Sequence, residues 1–206
     1  MIEPTPPPGG DPPPVQPAPP SGNEEPVVLE DMIAVVRLPA LFRKLDRVLE
    51  RMAASFTMPA DSPFQAVSSK PADGVHEYGL RWVDPQAGLR LFAGMAWGDL
   101  GHDPLWEVRL QAHPDADIAS LRSSGMLRMA ARRAESRFSE WDRFWHEDQA
   151  EPGYLIGASA ACTRFLEEAN PDAVAAEYLA GALHALHRSG ALSALREAFL
   201  TGPDAN

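Results

Sequence analysis

The sequence predicts an α+β domain, an antiparallel meander of three strands packed against three or four helices, with a fourth strand left open at residues 153–160. Three observations carry this expectation. Apolar and polar residues alternate in three consecutive runs between Tyr78 and Gln111, joined by short turn-forming links. On either side of these runs, apolar residues recur at helical spacing. The first 26 residues hold 11 of the 21 prolines and follow neither pattern.

That opening stretch, "PPPGGDPPPVQPAPPSG" and its flanks, cannot build helix or sheet, because proline fixes φ and lacks the N–H. Residues 1–26 are expected to be a disordered, acidic, Pro-rich tail of polyproline II mixed with coil. Pro4 and Pro7, like Pro14 and Pro17, have a spacing that suits an aromatic-lined groove. No Arg or Lys lies nearby to orient such a ligand, so a spacer is the reading adopted. A single domain is expected over 27–202, with a short C-terminal tail at 203–206.

A first helical region is expected from Val28 to Phe56, with Pro39 starting a fresh helix where its missing donor is harmless. Leu41, Phe42, Leu45, Val48, Leu49, Met52 and Phe56 form one stripe, either for the core or for pairing with a second copy. Residues 57–74 read as a connecting loop. "HEYGLRWVD", "LRLFAGMAW" and "PLWEVRLQA" read as the strands, and "DPQAG" as the first turn. One face carries Trp82, Leu91, Met95, Trp106, Val108 and Leu110; the other carries Arg81, Arg90, Glu107 and Arg109 and is expected to be partly wet. A long helix then starts at a cap on Asp115 or Asp117, weakens at Ser123, Ser124 and Gly125, and runs through Leu127, Ala134 and Phe138 to Trp141 and Trp145. "TRFLEEANPD" reads as including a helical turn. Asp172 is expected to cap a helix over 173–188 that ends on Gly190, before a short helix in "ALSALREAFL".

The net charge is −11, and residues 1–31 contribute six acids and no base, which leaves 23 acids against 18 bases beyond them. This balance argues against nucleic acid and anionic membranes as partners. A single cysteine, Cys162, rules out an internal disulfide and suits a reducing, cytoplasmic setting. No apolar run reaches a membrane span, and no secretion signal is read at the N-terminus. Two lysines against 16 arginines suggest a GC-rich, bacterial coding sequence. In element order and acidity the chain resembles the bacterial type III secretion chaperones, a resemblance that rests on those two features and implies a partner-binding role.

Few residues invite chemistry. Asp99, His102 and Asp103 share the link before the third strand, and Glu107 follows it; turn formation accounts for the first three. Asp84 or Asp99 followed by Glu107 and Arg109 resembles the acid and Glu-x-Lys arrangement of metal-dependent nucleases, with Arg where Lys would stand. Cross-strand charge pairing is the simpler role for Glu107 and Arg109. His184 and His187 lie three apart on a helix with no third ligand, and Cys162 sits among small apolar residues. Arg128, Arg132, Arg133 and Arg137 form a basic run on the long helix, a solvated face or a docking site for an acidic protein. The expectation is a non-enzymatic cytoplasmic protein-binding domain, an accessory, chaperone-like or adaptor protein, acting on a protein partner or as a homodimer, with no cofactor and no metal. The competing class is a metal-dependent, nuclease-like hydrolase built on Asp84, Asp99, Glu107 and Arg109.

Overall fold

The computed structural model describes residues 29–67, 77–97, 103–113, 116, 118–138 and 153–201, with side chains from Arg37 onward. The expected tail at 1–26, Asp99, His102, Asp115, Asp117, Trp141, Trp145 and the 203–206 tail lie outside the described residues. The chain divides into two compact units, Met1–Leu38 and Pro39–Asn206. In the first, the described part is the helical start of α1 (Leu29–Ser55). The second holds the rest of α1 and the other elements of the described residues.

One five-stranded sheet runs in the order β1-β2-β3-β4-β5, antiparallel throughout. Its strands are β1 (Gln65–Val67), β2 (Glu77–Asp84), β3 (Leu89–Ala96), β4 (Leu105–Ala112) and β5 (Tyr154–Ala161). Between β4 and β5 come α2 (Ala119–Ser123) and α3 (Met126–Glu135). After β5 come a 3-10 turn (Cys162–Phe165), α4 (Pro171–Arg188) and α5 (Ala191–Thr201). The α+β class and the meander follow the sequence pattern, but the strands among the described residues number five. Of the open stretch 153–160, all but Gly153 belong to β5. β1 falls within the expected loop, because its three residues are all exposed and hold the edge of β2 through backbone pairing alone, which leaves no alternation to read.

The helices also differ from expectation. Pro39 lies inside a continuous α1; its missing N–H removes one rung without restarting the helix. The long helix is two, because Gly125 adopts φ +72° and turns the chain between α2 and α3. Asn170, not Asp172, caps α4: its side chain accepts from the Ala173 N–H at 3.3 Å, and Pro171 fills the first turn. Asp172 instead meets Arg47 of α1 at 3.3 Å. The expected left-handed Gly190 ends α4 at φ +74°.

The core lies on one face of the sheet. Trp82, Leu91, Leu110 and Ile156 stand side by side across β2 to β5 and are buried under the helices, with Leu45, Met52, Phe56, Tyr178, Leu179 and Leu183 above them. A register shift between Leu110 and Gln111 inserts Leu155 as an extra residue, so Leu155 and Ile156 both join the core. No helix among the described residues is long and apolar enough to cross a membrane.

Two glycines set how closely β2 and β3 approach. Gly79 pairs with Gly94, and a Cβ on Gly94 would strike the backbone of Tyr78 and Gly79. A Cβ on Gly79 would also run into the Phe92 ring, falling 2.7 Å from its Cε2. Backbone cannot yield as a flexible side chain can, so Gly94→Ala is expected to destabilise by about 2–3 kcal/mol in urea denaturation. Native stability in that variant would contradict the close approach.

Candidate functional site

On the face away from the core, the register places Arg81, Phe92, Arg109 and Gly157 in one row across β2, β3, β4 and β5. The Arg81 and Arg109 guanidinium carbons sit 5.8 and 5.1 Å from the Phe92 ring centre, a cation on either side of one aromatic. Arg81 donates to Glu77 at 2.9 Å, Arg109 donates to Glu107 at 3.0 Å, and Arg109 also bridges to Glu77. At the far end of the row Tyr154 lies over Gly157, where any Cβ would collide with its hydroxyl. Both large rings on this face therefore rest on glycines, which leave the space that a side chain would fill.

This face is partly wet, as the alternation leads one to expect, since Arg90 is exposed and Arg81 and Glu77 are half-buried, but its centre is dry. Glu107 is 4% and Arg109 7% exposed. Alternation places charge away from the core but cannot show that the charges pair and bury one another around a ring. Glu77, which ties the two arginines together, carries no signal in the sequence because it sits at the start of β2, before the alternating run. Removing one member of a buried ionic group strands its partners without solvent.

The structure separates the acids of the nuclease-like arrangement. Asp84 shares the core-facing side of β2 with Trp82, whereas Glu107 is on the opposite face. Glu107 stands level with Gly94 and Gly79, so Asp84 is five residues away along the strand, or ~17 Å of rise. Asp84 is almost fully buried and engaged locally. One oxygen accepts from the Gln86 and Ala87 N–H groups of the turn, and the other accepts from Arg196 of α5 at 2.6 Å. That pattern locks the β2–β3 turn to α5. Among the described residues, no group of three or more His, Cys, Asp or Glu side chains is arranged to hold a metal ion.

The remaining candidates are dispersed. Asp103 is exposed and accepts from the Thr163 hydroxyl at 3.2 Å. Burial, with the Asp103 charge adding to it, pushes the neighbouring Cys162 thiol up to about 12, so it is protonated and a poor nucleophile near neutrality. His184 meets the Ser55 carbonyl at 3.1 Å and packs its ring edge against Phe56, tying α4 to the end of α1; His187 is exposed. The Tyr78 phenol donates to Asp46 of α1, and burial together with that carboxylate holds its ionisation up to about 12. The pairing of Tyr78 with Asp46 had no signal in the sequence, since 32 residues separate them.

The expected basic run forms one solvent-facing surface. Arg128, Arg132 and Arg133 project from α3 and Arg137 follows it, all exposed. Among the described residues Arg132, Arg133 and Arg137 have no carboxylate partner. On the helical wheel Met129 falls between Arg132 and Arg133, and it is 54% exposed. Leu127, Ala130, Ala131 and Ala134, on the other side of α3, are buried. No protein-family model, curated protein or solved structure matches the chain.

Two outcomes test this description. Arg109→Ala is expected to lower the unfolding free energy by about 3–5 kcal/mol, because it leaves Glu107 buried without its cation; a loss under about 1 kcal/mol would contradict the ionic cluster. Cys162 holds its proton more tightly folded than unfolded. Its contribution to stability is therefore complete below the ordinary thiol range and disappears as pH rises toward about 12. Alkylation by iodoacetamide at mildly alkaline pH is expected to run roughly tenfold or more slower in native than in urea-unfolded protein, and equal rates would contradict the shift.

Proposed function

We propose that this chain is a non-enzymatic protein-binding domain that docks an acidic segment of its partner on the exposed face of α3. The observation supporting it is the set of exposed guanidiniums of Arg132, Arg133 and Arg137, without a carboxylate partner among the described residues, around the exposed Met129. Elsewhere the fold matches many of its arginines: Arg47 with Asp172, Arg196 with Asp84, and Arg81 and Arg109 with Glu77 and Glu107. Helix stability does not account for the clustering on this face. Arg128 and Arg132 are like charges four residues apart on α3, a spacing that repels. The negative end of α3 favours cations, but it requires neither this many nor a methionine among them.

Carboxylates suit this surface better than phosphodiesters. Guanidinium forks bind carboxylates in two-point geometry, and an apolar side chain beside them could rest on Met129. The net charge of −11 opposes a polyanion that would lie along much of the molecule. Chaperone-like or adaptor activity in the cytoplasm is consistent with such a domain.

A fluorescein-labelled peptide of Leu-Glu-Glu repeats, followed by anisotropy, tests the proposal. Binding is expected with roughly micromolar affinity, weakening as salt rises, and lost in the Arg132→Glu/Arg133→Glu variant. Equal binding by that variant, or tighter binding of a single-stranded oligonucleotide than of the peptide, would overturn it.

A further inference from the structure

We infer that a second copy of this chain supplies the acidic segment, docking Leu166, Glu167 and Glu168 on Met129, Arg132 and Arg133. This rests on the reading of α3 as a docking face. Leu166 is 70% exposed, more than any other large apolar side chain among the described residues. The two residues after it are exposed glutamates with no ion partner among the described residues. An apolar side chain followed by two carboxylates is the chemical complement of an exposed methionine flanked by guanidiniums. Both patches face solvent in the same chain and form no ion pair with each other.

The segment is also held in shape. Phe165, immediately before Leu166, is 2% exposed and packs against Tyr178, with ring centres 5.6 Å apart. The Leu166 and Glu168 N–H groups donate to the carbonyls of Thr163 and Phe165 at 3.1 and 3.2 Å. Asn170 then caps α4. Leu166 to Glu168 thus form a fixed projection between two anchored points, so docking would require little ordering of the backbone. Two chains related by a two-fold axis would make the contact twice, each offering its projection to the other's α3. The patches are small, so the association is weak and concentration-dependent.

Light scattering coupled to size-exclusion tests this on the full chain. The mass is expected to rise from 22.4 kDa toward twice that value as loading concentration approaches roughly 100 μM. Glu167→Arg/Glu168→Arg and Arg132→Glu/Arg133→Glu should each remain monomeric, since every contact becomes like against like. Mixed in equal amounts they should associate with each other, because both contacts are then opposite in charge. Circular dichroism confirms that each variant is folded. A native chain that stays monomeric throughout, variants that still self-associate, or a mixture that does not associate would each overturn the inference. Any of these outcomes with the Leu-Glu-Glu peptide still binding the native chain would remove the second copy as occupant and leave the docking face standing; loss of peptide binding as well would remove both.

Discussion

The register of β2 against β3 and of β3 against β4 is the constraint on which the rest of the structure depends. It aligns Trp82, Leu91 and Leu110 in one row beneath the helices and Arg81, Phe92 and Arg109 in the next row, on the other side. Side chains alternate along a strand, so a slip of one residue would exchange the two rows. Arginines would then meet Leu179 and Leu183 in a core without partners for them, at a cost no packing could offset. The glycines reinforce the same alignment. Gly79 opposite Gly94 lets the backbones close, and only in this register does the Phe92 ring find the bare surface of Gly79.

Two groups of charge among the described residues contrast with one another. On the sheet, Glu77, Arg81, Glu107 and Arg109 satisfy one another around Phe92, and Asp84 and Arg196 do the same at the turn near α5. Such groups hold a fold in one arrangement, because each charge is too costly to bury alone. On and just after α3 the opposite holds: among the described residues, Arg132, Arg133 and Arg137 stand in solvent with no carboxylate to meet. Charges that are already paired have little to offer an incoming group, whereas unpaired ones with an apolar side chain among them do.

The legibility of each part in the sequence follows from what kind of force shapes it. The three central strands could be read because burial on one face imprints a two-residue period, and the buried stripes of α3 and α4 could be read for the matching helical reason. β1 could not, since backbone pairing alone leaves no mark on Gln65, Ala66 and Val67. β5 was ambiguous because a bulge at Leu155 breaks its alternation and both its faces are covered. The basic run on α3 was visible as spacing, yet its lack of partners required coordinates. The ionic cluster was half visible: Glu107 and Arg109 stood out, but Glu77 and the role of Phe92 arise from contacts between strands. The Leu166 projection gave no signal either, as one exposed leucine in a polar stretch looks like any other until its neighbours are known to be anchored.

Cross-strand backbone NOEs in isotope-labelled protein test the register most directly. Contacts linking Phe92 to Arg81 on one side and to Arg109 on the other are expected. Contacts linking Phe92 instead to Trp82 and Leu110 would contradict the alignment, and with it the separation of the apolar core from the charged row.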